Sequence, residues 1–299
     1  MDTNPTQRPF PIPVVAFGPG SQDEDDGLDY PVLPSGMDTY RPPALPEPEA
    51  IGAHAGVLRV LHEVLAGVQA WRRGEPVAPV ALDGLDADAL KLLHPLLGEG
   101  EVSAQVLAEP GRRDPGSAFA RVAVQESVFA GVWRVVEVGD DGRARDRLEV
   151  GRLPGVLTRA AAEDAARARP ARSALPPQVV NVPQLVDELA DRRAAWREGD
   201  LPHVVNLTLL PLSPADIGLI DHHLGTGRVL VLSRGYGNCR ITNTLAARTW
   251  RVVYYNSQDA VILNAIEVTD VPDVACAATE DLADTEQRLA EVLQWMAPS

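Results

Sequence analysis

The residues best suited to chemistry in this chain crowd into one stretch, Ser233-Arg234-Gly235-Tyr236-Gly237-Asn238-Cys239-Arg240. A second aromatic and polar run follows it, Trp250-Arg251-Val252-Val253-Tyr254-Tyr255-Asn256-Ser257. A core strand has no need of that mixture, because polar groups are costly to bury unless paired. Arginines beside Cys239 would favour its thiolate, the form that reacts or ligates iron. Tyrosine, tryptophan and arginine are also the residues that anchor protein interfaces. Phosphate binding is poorly served: Gly235-Tyr236-Gly237 opens no helix and matches no Gly-x-x-x-x-Gly-Lys-Ser/Thr pattern. The plain alternative is a tight hairpin whose glycines sit at positive φ. The residues taken forward as a partner-binding set are Arg234, Gly235, Tyr236, Gly237, Asn238, Cys239, Arg240, Trp250, Tyr255 and Asn256. Cys239 is in addition a weak metal candidate, since no second ligand lies near it in sequence.

Other constellations do not hold together. His222 and His223 are adjacent, so on a helix they point about 100° apart and do not share one ion. Glu163 and Asp164 fall in what reads as an exposed linker. There is no nucleophile elbow and no Gly-x-Gly-x-x-Gly after a strand. The expectation is a binding protein rather than an enzyme, with no cofactor.

Composition bounds the partners. The chain has 299 residues and a formal net charge of −15, which argues against nucleic acid and anionic membrane surfaces. Residues 1–50 carry nine Asp/Glu against two Arg, and 11 of the chain's 26 prolines. Two cysteines, Cys239 and Cys276, build no disulfide framework, which fits a reducing cytoplasm. The opening Met1-Asp2-Thr3-Asn4-Pro5 has neither basic nor apolar export regions, and no apolar run reaches the roughly 20 residues of a membrane span. A cytoplasmic location is expected.

The elements that must position the cluster read as α+β, arranged as two tandem diverged repeats, each helix-strand-helix and then antiparallel strands. An extended or disordered Pro-rich acidic segment over 1–50 precedes them, and its runs Ile12-Pro13-Val14-Val15-Ala16-Phe17 and Tyr30-Pro31-Val32-Leu33 could lie across a domain or a partner. The first repeat spans 51–155, a linker helix 156–180 and the second repeat 181–299. Four matches in the same order support the duplication. Leu61–Leu65 with Trp71 answers Leu185–Leu189 with Trp196, and Leu97–Val102 answers Leu224–Val229. Val132–Val136 answers Thr249–Val253, and Leu148–Val150 answers Ile266–Val268. In the first repeat Val57, Leu61, Val64, Leu65, Val68 and Trp71 share a helical face. Asp86 and Ser213-Pro214 each start a helix. Strands are expected over Val77–Leu82, Glu101–Leu107, Arg121–Ser127, Trp133–Val138, His203–Leu209, Arg228–Ser233, Cys239–Thr244, Trp250–Asn256 and Val261–Val268, and a last helix over about Glu280–Met296. Where the second repeat has the Arg/Gly/Tyr/Asn/Cys cluster, the first has the ordinary turn Ala108–Gly116. The repeat fold therefore does not itself require the cluster.

Ser233–Ile241, Trp250 through Ser257 and Leu263–Val268 resemble the C-terminal signature of hydrogenase expression/formation proteins of the HupH/HyaF type. Ile12–Val15, Gly18-Pro19-Gly20-Ser21-Gln22 and Pro42-Pro43 with Leu45-Pro46-Glu47 resemble that family's opening, so the likeness spans nearly the whole chain. One departure is Thr249 before Trp250, where the family leads one to expect a second tryptophan. The resemblance implies an accessory protein in biogenesis of a membrane-bound uptake [NiFe]-hydrogenase, attending the iron–sulfur small-subunit precursor before twin-arginine export. A thioredoxin-like co-chaperone is a further implied partner. Iron or iron–sulfur handling through Cys239, and a scaffold among maturation proteins, are the alternatives.

Overall fold

A computed structural model of the chain describes residues 54–107, 121–139, 141–167, 182–235 and 237–296. The Pro-rich segment expected over 1–50, the Ala108–Gly116 turn, the linker beyond Arg167 and Tyr236 lie outside the described residues.

Local signals start and stop the helices. Helix α1 (Ala55–Arg72) buries Val57, Val60, Leu61, Val64 and Val68, a spacing of three and four that puts them on one face. Helix α2 (Ala87–Leu97) is capped by Asp86, whose carboxylate accepts from the Ala89 N–H at 2.7 Å, and ends at Gly98 with φ +54°. Helix α3 is Gly155–Ala166 and α4 is Val182–Ala195. Helix α5 (Pro214–Leu224) opens with Pro214 at its first turn and a reciprocal capping box between Ser213 and Asp216. Helix α6 (Thr279–Trp295) closes the described chain.

The strands are β1 (Val80–Ala81), β2 (Val102–Val106), β3 (Arg121–Glu126), β4 (Val132–Val138), β5 (Ala144–Val150), β6 (His203–Asn206), β7 (Val229–Ser233), β8 (Asn238–Asn243), β9 (Thr249–Tyr255) and β10 (Val261–Val268). They form one antiparallel sheet in the order β1-β5-β4-β3-β2-β7-β8-β9-β10-β6. The element series helix, strand, helix, four strands thus occurs over 55–150 and again over 182–268. In each series the first strand lies at an outer edge and the second at the centre. The series meet where β2 pairs β7, with Ala104 opposite Val231 midway along the ladder.

Strand alternation sorts the side chains onto two faces. One face is covered along its middle. Ala104 packs there with Val102, Val106, Val124, Trp133, Val135, Val231, Ile241, Trp250 and Val252, beneath Leu157 and Ala160 of α3, Ala275, Ala277 and Leu282. That core draws on both halves of the sheet. Each such valine or isoleucine contributes about 1.5–3 kcal/mol on leaving water. The other face is covered only at its ends. Helices α1 and α2 pack with Val80, Leu148 and Val132 at one end, and α4 and α5 with Val205, Ile266 and Val268 at the other.

The charged run ARDRLEV, not among the strands named from the sequence although Leu148–Val150 answers the strand end Ile266–Val268, forms β5, where Arg147 meets Glu137 and Glu149 at 2.8 Å each and its charges need not face water. One expectation is corrected. Asp164 is not an exposed linker acid. It is 0% exposed and accepts from the Arg228 backbone N–H at 2.6 Å, Arg228 Nε at 2.7 Å and Asn243 Nδ2 at 3.0 Å. Helix α3 is thereby clamped onto the start of β7 and the end of β8.

Candidate functional site

The cluster Ser233–Arg240 is the β7–β8 hairpin, with Ser233 opposite Cys239. Its glycines have a structural cause. Gly237 has φ +99°, and a side chain at Gly235 would run into the Glu101 carboxylate, while the Arg234 N–H donates to the Glu101 carbonyl at 3.0 Å. The hairpin tip is therefore seated against the turn before β2.

Alternation then divides the predicted set. Cys239 and Trp250 point into the covered core, 3% and 2% exposed, and the Trp250 indole N–H donates to the Asp270 carbonyl at 2.9 Å. Asn238, Arg240 and Tyr255 point to the opposite face, where Asn238 and Arg240 are exposed and Tyr255 half-buried. Arg234, Gly235 and Gly237 are exposed at the tip. Asn256 turns the β9–β10 hairpin, its Oδ1 accepting the N–H groups of Gln258 and Ala260 at 2.9 Å each. The surface left available is Arg234, Gly235, Gly237, Asn238, Arg240 and Tyr255.

Cys239 does not carry the thiolate its arginine neighbours suggested. Burial pushes its thiol up to about 11, a hydrogen bond with the Tyr254 hydroxyl opposes this only in part, and Glu267 reinforces it. Tyr254, its cross-strand partner, is pushed up to about 12 by burial and by Cys239 and Glu267. Glu267 is itself raised by burial and by Asp273. The arginines point to the other side of the sheet or away from it, so they do not reach the sulfur's face. Such a neutral thiol is a poor nucleophile and a poor ligand. Among the described residues no three His, Cys, Asp or Glu side chains converge as a metal site.

The half-open face holds a feature the sequence reading did not name. Between the two helix pairs runs a trough of about 350 Å³, floored by Ser103, Gln105, Gln125 and Leu230, with Leu232 and Arg134 beside them. The ladders place Arg134, Gln125, Ser103, Leu232 and Arg240 in one row across β4, β3, β2, β7 and β8. Val136, Ala123, Gln105, Leu230, Thr242 and Arg251 form the next, ending on β9. Arg134 is held by Asp146 and Arg251 by Asp221 of α5 at 3.1 Å. Arg240 has no acidic partner among the described residues. Small and polar residues at alternate positions of β2 and β3 were the available signal for this uncovered face.

An uncovered sheet face between helical flanks, ending at an arginine-bearing hairpin, is a surface on which another chain can lie. The chain matches the family described as HupH hydrogenase expression protein, C-terminal conserved region, over residues 179–296. It is 47% identical to the hydrogenase expression/formation protein HoxQ of Cupriavidus necator, over 96% of this chain and 98% of that protein. It is 46% identical to the hydrogenase expression/formation protein HupH of Rhodobacter capsulatus, over 95% and 98%. To the hydrogenase-1 operon protein HyaF of Escherichia coli it is 31% identical, over 94% and 95%. The chain belongs to the HupH/HyaF family of hydrogenase expression/formation proteins.

Proposed function

We propose that this protein is a maturation chaperone for the iron–sulfur small subunit of a membrane-bound uptake [NiFe]-hydrogenase. It holds the precursor in the cytoplasm before twin-arginine export, alone or with a thioredoxin-like co-chaperone. Family membership supports a role in hydrogenase formation. The observation that supports client binding is the exposed end of the trough, where Arg234, Asn238, Arg240 and half-buried Tyr255 stand together without a structural task that uses their side chains. Tyrosine and arginine are suited to anchoring an interface. The buried, neutral Cys239 thiol speaks against iron handling through that residue. We also read the two halves as diverged copies of one unit. The Trp133 and Trp250 indoles support this, each donating across its own strand end, to Gly151 O at 2.8 Å and Asp270 O at 2.9 Å.

The test is anaerobic co-purification with the small-subunit precursor, with and without its twin-arginine leader. A stable complex that Arg234→Ala/Arg240→Ala abolishes, in a chain that stays folded, is the expected result. Failure to capture the precursor in either form overturns the chaperone reading, and capture of accessory proteins alone makes the protein a scaffold.

A further inference from the structure

We propose that the open β6 edge of the sheet is a self-association surface, on which β6 of a second copy of this chain pairs antiparallel with β6. The described sheet ends at β6, with no described strand beyond it. Six of the nine exposed large apolar side chains among the described residues lie on or beside β6 and β10: Leu201, Val204, Leu209, Leu210, Val261 and Ile262. An apolar patch of that kind beside an unpaired strand edge marks an interaction surface.

The backbone says what form the occupant takes. Along β10, the Asn264 N–H turns toward the β6 side and donates to Thr208 Oγ1 at 2.8 Å. The Thr269 N–H turns toward β9 and donates to the Arg248 carbonyl at 2.9 Å. Alternation then commits Ile266 and Val268 to bonding with Val205 and His203, and leaves Val204 and Glu267 as a non-bonded pair. Val204 therefore aims both its N–H and its C=O at the open edge, and its side chain is 51% exposed. An added strand satisfies both groups at once.

Three observations favour a second copy as that strand. The first is symmetry. Opposed residues of an antiparallel pair share a face, so a two-fold axis normal to the sheet passes through a residue paired with itself. Val204 is the residue of β6 that can stand there, exchanging both backbone bonds with Val204 of the other copy. The second is fit at the ends. The same register sets Leu201 of each copy beside the 3-10 turn Leu207–Leu209 of the other. Leu201 and Leu209, 89% and 79% exposed, are the two most exposed large apolar residues among those described. Pro202 has no N–H to give, and the paired stretch ends there, so this short ladder loses little. The third is charge. Residues 201–215 and 260–266 contain no Asp, Glu, Lys or Arg. Two chains of net charge −15 repel each other, and such a stretch is where they can meet. A cationic strand gains little at this edge, because Glu188 is already held by His203 at 2.8 Å.

The experiment uses the full chain and follows its mass by sedimentation equilibrium from low to high micromolar concentration. The parent should show a concentration-dependent monomer–dimer equilibrium. Leu201→Glu/Leu209→Glu changes only exposed side chains, so the fold should hold by circular dichroism. It should raise the dimer dissociation constant by about tenfold or more, by placing like charges together. A second arm needs no disruptive change. Self-paired residues of this kind have Cα atoms about 5.5 Å apart, inside the span of about 4.4–6.8 Å that a disulfide bridges. Val204→Cys in a Cys276→Ser chain should therefore oxidise to a covalent dimer in much higher yield than Leu107→Cys, an exposed site after β2 that reports random encounter. A chain that stays monomeric at every concentration overturns the proposal. So does a dimer indifferent to the two glutamates, or equal disulfide yields at positions 204 and 107. No hydrogenase component is present, so the outcome is independent of the chaperone reading.

Discussion

The neutral state of Cys239 is the sharpest consequence of the site's geometry. Burial raises its thiol from an ordinary 9.0 to about 11. At pH 8 the thiolate fraction is then about one hundredth of that of an ordinary cysteine. Exclusion from solvent at 3% exposure slows attack further. Iodoacetamide should therefore modify Cys239 in the folded chain at least 100-fold more slowly than in guanidinium, followed peptide by peptide in a mass spectrometer. Cys276, also raised to about 11 by burial, should be sluggish as well. The same shift links stability to pH. A folded-state value above the unfolded one means the contribution is fully present below pH 9 and is lost as pH rises through about 11. For Cys239 it amounts to on the order of 2–3 kcal/mol. Cys239→Ala should flatten the alkaline fall in the denaturation midpoint and still capture the small-subunit precursor. Alkylation of folded protein within tenfold of the unfolded rate would refute the reasoning and return the thiol to the list of reactive groups.

Three further outcomes follow from buried groups. Asp164→Ala leaves Arg228 and Asn243 without their shared acceptor, so it should cost about 3–5 kcal/mol in urea unfolding; a loss below 1 kcal/mol would show that the clamp on α3 is incidental. Gly131 has φ +75°, and a methyl there meets Leu282. Gly131→Ala should therefore lower the thermal midpoint by several degrees, for a cost of about 1–3 kcal/mol, and an unchanged midpoint would refute the close approach. Burial raises the Glu126 carboxyl, against hydrogen bonds from the Gly131 and Val102 N–H groups and with help from Glu101 and Asp281. Its stabilising contribution is thus present below the ordinary carboxylate range and lost as pH rises through the raised value. Glu126→Gln should match or exceed the parent at pH 8 and lose that advantage near pH 4, read from denaturant midpoints at both pH values; a large loss at pH 8 would contradict the sign.

The elements were legible where periodicity and punctuation agreed. Val57, Val60, Leu61, Val64 and Val68 announce α1 by spacing alone, and Ser213-Pro214 with Asp216 announces α5. Only the end of β5, Leu148–Val150, was legible through its match with Ile266–Val268; the arginines and acids before it look like a loop until Glu137 is brought alongside from β4. Asp164 failed for the same reason: its partners Arg228 and Asn243 are more than sixty positions away. The candidate site was half legible. Composition marked the Arg234–Arg240 hairpin as unusual, but period-two alternation turns Cys239 into the core and Arg240 out of it. Treating the cluster as one surface merged two faces. That the halves share a single sheet is a pairing of β2 with β7, and nothing local in either strand encodes its partner across the join.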